Sequence, residues 1–110
     1  MDKKAAKQRI EAEMAELATR SQLSEEARAP VTLDQQSVGR LSRMDAIQQQ
    51  SMELATEARR RQRLAQLQAA LDRIAADEFG WCLTCGEEIA AARLEIDPAS
   101  ATCVDCRQGG

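Results

Sequence analysis

Trp81-Cys82-Leu83-Thr84-Cys85-Gly86 and Thr102-Cys103-Val104-Asp105-Cys106 carry all four cysteines of this 110-residue chain, as two Cys-x-x-Cys pairs with 17 residues between them. A Cys-x-x-Cys turn lets two thiolates bite one ion, and a connection of this length folds back to bring the second pair opposite the first. The chain has no histidine, so a mixed Cys/His site is excluded. What remains is a closed four-thiolate site for one structural zinc ion, with Cys82, Cys85, Cys103 and Cys106 as ligands and no open position for catalysis. A four-cysteine iron–sulfur cluster uses the same donors and stands as the alternative. Two disulfides would need an oxidising compartment, yet Met1-Asp2-Lys3-Lys4-Ala5 opens no apolar signal segment. A thioredoxin-like redox pair would need a βαβ context that the short intervening segment cannot supply.

Upstream of the cysteines the composition is that of a long helix. Ala, Leu, Glu, Gln, Arg and Lys dominate residues 3–78, and the whole chain has two aromatics, Phe79 and Trp81, five glycines and two prolines, too few for a sheet-based core. Ala6, Ile10, Met14 and Leu17 recur at helical spacing, and so do Leu64, Leu67, Leu71 and Ile74. Ala29-Pro30 stops the first series, because proline cannot continue a helix and displaces the residue before it from the α region. The second helix has two candidate starts, Ser42 with Asp45 as a capping box and the earlier Thr32 with Gln35. The expected fold is mainly α: a long antiparallel coiled-coil helical hairpin over 1–78, with helices at about 3–29 and 42–78 and a tip at about 30–46, closed by a four-cysteine zinc-finger module over 79–110.

Charge limits the function classes. Residues 1–29 carry six basic and six acidic side chains, residues 30–78 seven of each, and residues 79–110 Arg93 and Arg107 against Glu87, Glu88, Glu95, Asp97 and Asp105. Four thiolates on a divalent ion add a net charge of about −2 to that last segment. An acidic module has no electrostatic footprint for duplex DNA, so direct sequence-specific DNA binding is not expected. No run approaches the length of a transmembrane helix, and the expected location is the cytoplasm. With no histidine, no isolated reactive cysteine and no glycine-rich phosphate loop, the chain reads as a non-enzyme. The run Arg59-Arg60-Arg61 with Arg63 reads as a solvated helix face paired to Glu53 and Glu57.

The segment Phe79-Gly80-Trp81-Cys82-Leu83-Thr84-Cys85-Gly86-Glu87-Glu88-Ile89, then Arg93-Leu94-Glu95 with Pro98, then Cys103-Val104-Asp105-Cys106, resembles the zinc finger of the DksA/TraR family. The match covers about 28 of 110 residues, and the helical stretch before it is similar to the DksA branch in architecture. The resemblance implies a bacterial transcription regulator that binds RNA polymerase by inserting its hairpin into the secondary channel, with the alarmone ppGpp as a further partner. Family tips carry an Asp-x-x-Asp-x-Ala pattern. An ungapped register from the cysteines puts Gly39 and Ser42 at the two aspartates, and the nearest acids are Asp34 and Asp45, the latter followed by Ala46; these three are the candidate polymerase-facing residues. Family members also continue past the last cysteine pair in a C-terminal helix, where this sequence has Arg107-Gln108-Gly109-Gly110. The alternative function is a zinc-stapled structural or chaperone-like coiled coil with no polymerase activity, which would assemble through the seam from Leu64 to Ile74. The charge distribution predicts no mobility shift of duplex DNA even at low salt; a shift that weakens steeply as salt rises would show a basic face that the sequence lacks.

Overall fold

Asp2 begins the first helix. Its backbone carbonyl accepts from Ala6 and its carboxylate accepts the Ala5 N–H at 2.7 Å, satisfying one of the donors that a helix start leaves open. The computed structural model describes residues 1–29 and 40–109, and in them five helices follow one another: α1 (Lys3–Leu23), α2 (Glu25–Arg28), α3 (Arg40–Ala75), α4 (Ala91–Ile96) and α5 (Val104–Gly109). One isolated antiparallel bridge, between Trp81 and Glu88, is the β pairing among the described residues. The class is mainly α, as the composition requires, and no described helix is long and apolar enough to cross a membrane.

The first helix is broken where a continuous one was expected. At Ser24 (φ −93°, ψ 1°) the backbone leaves the α region, and the Ser24 hydroxyl donates to the Ser21 carbonyl at 3.2 Å. Serine competing with the backbone in this way bends or interrupts a helix, and periodicity alone does not reveal it. After α2, Ala29 is extended (φ −63°, ψ 151°), as the proline after it demands.

α3 is described from Arg40 onward, and the earlier candidate start, Thr32 with Gln35, lies outside the described residues. Ser42 therefore lies inside the first turn and cannot be its cap. Asp45 lies in the second turn, beyond the free N–H groups that a capping acid would meet. At the other end α3 stops at Ala75, short of residue 78. The Glu78 N–H reaches back to the Arg73 carbonyl (2.8 Å) and the Asp77 N–H to the Ile74 carbonyl (3.2 Å), the paired bonds of a Schellman cap. Asp77 takes the left-handed position of that cap (φ 61°), where glycine is usual.

The chain packs as two units. Unit 1 joins Met1–Ala15 to Leu64–Gly110, and unit 2 is Glu16–Arg63. In unit 1 Ala6 and Ile10 of α1 and Leu67 and Ala70 of α3 are fully buried, with Leu64, Leu71 and Ile74 half-buried beside them. Ile10 and Leu67 each contribute about 1.5–3 kcal/mol by leaving water. Lys3 pairs with Asp77, so the start of α1 lies at the end of α3 and the two segments run antiparallel. In unit 2 the same direction follows from contacts of Ser21 with Glu57 and of Ala29 with Gln50.

Left-handed backbone costs roughly 1–2 kcal/mol for a residue with a Cβ, less for aspartate, and an exposed ion pair returns at most about 1 kcal/mol. Asp77→Gly should therefore leave the thermal midpoint unchanged or slightly raised, whereas Asp77→Val should lower stability by about 1–2 kcal/mol in denaturant unfolding, because a β-branched side chain is the least compatible with that conformation.

Candidate metal centre

Two tight turns bring the cysteines together. After Trp81 the chain folds over itself: the Cys82 N–H donates to the Glu87 carbonyl (2.8 Å), the Gly86 N–H to the Cys82 carbonyl (2.9 Å) and the Ile89 N–H to the Gly80 carbonyl (2.8 Å). Gly86 closes this knuckle at φ +77° with open space where a Cβ would stand, so glycine serves the backbone angle and not a steric gap. The second pair opens α5, with Cys103 just before the helix and Cys106 in its first turn. A bond from the Leu83 N–H to the Ala101 carbonyl (2.8 Å) ties the two halves, and Arg93 Nε fixes the approach to Cys103 by donating to the Thr102 carbonyl (2.8 Å).

Beneath the sulfurs lies a small core in which Cys82, Ile89 and Leu94 are buried and Phe79, Cys103 and Cys106 pack against them. Arg9 of α1 donates to the Glu95 carbonyl at the end of α4 and Arg73 of α3 to the Ala99 carbonyl (3.3 Å), so α1 and α3 both hold the stretch that leads from α4 to the second cysteine pair. Burial lowers the Arg73 pKa, and the guanidinium keeps its charge at neutral pH.

The four cysteine Sγ atoms all lie within 4.8 Å of one another, and Cys85 and Cys103 are 3.7 Å apart. Zinc–sulfur bonds of about 2.3 Å in a tetrahedron hold sulfurs about 3.8 Å apart. The electrostatics agree with an ion at the centre. Donation from the Cys85 N–H, aided by those of Cys103 and Thr84 and opposed by burial, brings the Cys82 thiol down to about 6. The sulfur of Cys103, then those of Cys85 and Cys82, push the Cys106 thiol up. The Glu87 N–H pulls Cys85 downward, but burial and the sulfurs of Cys82 and Cys103 win and its pKa is also raised. Backbone donors are thus aimed at a sulfur anion, while repulsion keeps four thiolates from coexisting without a cation. All-sulfur donors at tetrahedral spacing fit one structural zinc ion.

The other candidate residues do not gather here. Asp45 and Ala46 are exposed on α3 in unit 2, and Asp34 lies outside the described residues. The arginine run is divided among neighbours: Arg60 approaches Glu57 at 3.5 Å and donates to Ser24 at 3.2 Å, and Arg59 donates to Thr56 at 3.1 Å, while Glu53 accepts from Gln49. Glu57, which the sequence reading placed on that solvated face, is instead buried at 6% exposure.

Residues 77–109 match the family described as the prokaryotic dksA/traR C4-type zinc finger. The chain carries a DksA/TraR-type zinc finger. Two relatives are each named RNA polymerase-binding transcription factor DksA: the protein of Haemophilus influenzae is 40% identical over 57 residues, 52% of this chain and 39% of its own length, and that of Escherichia coli K12 is 35% identical over 57 residues, 52% of this chain and 38% of its own length. The chain thus spans about two fifths of the curated relatives it matches. The structure of transcription factor DksA2 from Pseudomonas aeruginosa superposes with a TM-score of 0.81 over 99% of this chain and 84% of that one at 22% identity, a likeness of fold. The matched zinc-finger family, the donor set and the sulfur spacing together give this chain one structural zinc ion.

Structural zinc binds with an apparent free energy on the order of 10 kcal/mol at neutral pH, and the affinity falls as protons compete for the thiolates. A strong chelator should therefore loosen residues 79–109, which Trp81, the single tryptophan, reports as a change in fluorescence; Cys103→Ser should give the same emission without chelator and less than one zinc per chain. An unchanged spectrum after complete zinc removal would show that the module stands on its small core alone.

Proposed function

We propose that this chain is a DksA-like transcription regulator that binds RNA polymerase through its secondary channel and has no enzymatic chemistry of its own. Cys82, Cys85, Cys103 and Cys106 are the four zinc ligands in this reading, and zinc serves the fold and not a reaction. The observation that carries the proposal is the joint occurrence of a DksA/TraR-type finger in residues 77–109 and a DksA2-like fold along 99% of the chain. Under it the relatives' printed property, RNA polymerase binding, extends to this protein, its location is the cytoplasm where reduced thiols persist, and neither DNA sequence nor a membrane is a partner.

Asp34, Asp45 and Ala46 are the proposed polymerase-facing residues. Asp45 supports this role because it lies past the capping positions of α3 and is exposed, which leaves it without a structural duty at the helix start. The alarmone ppGpp is a proposed second ligand, and support comes from a hollow of about 300 Å³ in unit 1 lined by Arg73, Arg93 and Arg107 together with the single carboxylate of Asp97. The alternative of a self-assembling structural coiled coil is disfavoured because Leu67 is fully buried and Leu64, Leu71 and Ile74 are half-buried within the chain.

RNA polymerase should co-purify with the tagged protein, and the protein should change open-complex lifetime in transcription from purified components, more so with ppGpp. Asp45→Asn should reduce that change several-fold while leaving co-purification intact. A pull-down that recovers no polymerase would overturn the proposal.

A further inference from the structure

In sequence the heptad pattern does not end at Leu64; it changes chemistry. Stepping back from Leu64 at the same alternating spacing gives Arg60, Glu57, Glu53 and Gln50, and stepping forward from Leu17 gives Ser21, Ser24 and Arg28. The burial pattern follows that register, since Gln50, Glu53 and Arg60 are half-buried and Glu57 is the one buried side chain among the described residues of unit 2. Among the described residues of this unit Leu23, Met44, Ile47, Met52 and Leu54 are exposed, while Leu17 is half-buried.

Every oxygen of Glu57 is engaged. Ser21 Oγ donates to Oε1 at 2.6 Å, and Oε2 faces Arg28 Nε at 3.4 Å and Arg60 Nη1 at 3.5 Å. The arginine side chains are themselves only 16% exposed. Arg28 also donates to the Ser21 carbonyl (2.6 Å) and the Ser24 hydroxyl (3.1 Å), and Arg60 to the same hydroxyl. One carboxylate therefore connects α1, the break at Ser24, α2 and α3. The Ser21 bond first, then the two guanidiniums, hold its pKa below the usual glutamate value against the effect of burial. Stability from this group is full above the ordinary glutamate range and is lost as pH falls through the lowered value, so the cluster is intact at neutral pH.

An apolar seam accepts a shifted helix at little cost, because one leucine replaces another. A buried carboxylate does not: a shift of one turn strands a charge without its hydroxyl and guanidinium partners. Fixing register is the best-attested service of buried polar groups between helices. We infer that Glu57 is the positioning residue of unit 2: its buried carboxylate sets the register of α1 and α2 against α3, and so sets where the backbone leaves Ala29 and re-enters at Arg40. The Gln50 side chain, donating to the Ala29 carbonyl at 2.6 Å, lies in the same register on the same side. Insofar as this bears on transcription it rests on the function proposed above, since the connecting segment holds Asp34 and is followed by Asp45 and Ala46.

The test compares full-length zinc-loaded wild type with Glu57→Gln and Glu57→Leu. Both variants should keep helix content and one zinc per chain. Amide protection of α2 and of residues 43–60 should nevertheless fall about ten-fold or more in both, with split or broadened resonances reporting more than one register. With RNA polymerase, half-saturating concentration should stay within about two-fold while the maximal change in open-complex lifetime drops several-fold. Unchanged protection and a single set of resonances in the Gln variant would overturn the inference; should the Leu variant fail to fold, the Gln variant decides. If wild type itself leaves the polymerase unaffected, the functional reading has failed, and the amide data still decide the register.

Discussion

Four sulfur atoms confined within 4.8 Å of one another are the constraint on which the C-terminal module depends. They cannot all ionise unless a multivalent cation stands between them, and once it does the two knuckles are held in one relative geometry. Little else is available to do this. The core under the sulfurs amounts to Cys82, Ile89 and Leu94 with a few half-buried neighbours, far too little to order some thirty residues against their conformational entropy. Arg9, Arg73 and Arg93 then act on the frame so formed by tying backbone carbonyls at residues 95, 99 and 102.

The helical pair obeys a second logic. In unit 1 its seam is apolar, with Ile10 and Leu67 fully out of water. In unit 2 the same heptad positions hold Ser21, Ser24, Arg28, Glu57 and Arg60. The apolar part supplies stability without much discrimination between registers, and the polar part supplies discrimination without much stability. Each half needs what the other provides.

The metal centre was legible in the sequence because its donors are rare residues at a spacing that chemistry restricts. The class of the fold was legible for a similar reason: Leu64, Leu67, Leu71 and Ile74 announce a helix face without ambiguity. The helix ends were harder. Asp77 occupies a left-handed cap that statistics assign to glycine, and Ser24 interrupts a helix through a hydroxyl bond that no periodicity reveals. Ser42 and Asp45 fit a capping pattern, yet α3 had already begun at Arg40. Glu57 was missed because polar residues on a charged helix read as solvated by default; the available signal was the heptad itself, extended past its last leucine.

The composition of unit 1 has a consequence for synthesis. Its two parts, Met1–Ala15 and Leu64–Gly110, are separated in sequence by the whole of unit 2. During translation Ala6 and Ile10 leave the ribosome long before Leu67 and Ala70 exist, so these apolar residues wait in water while unit 2, whose partners are closer in sequence, is free to pair first. The N-terminal segment can dock only once Leu67 and Ala70 have emerged. Vectorial synthesis thereby places the burial of Ala6 and Ile10 after the pairing of unit 2.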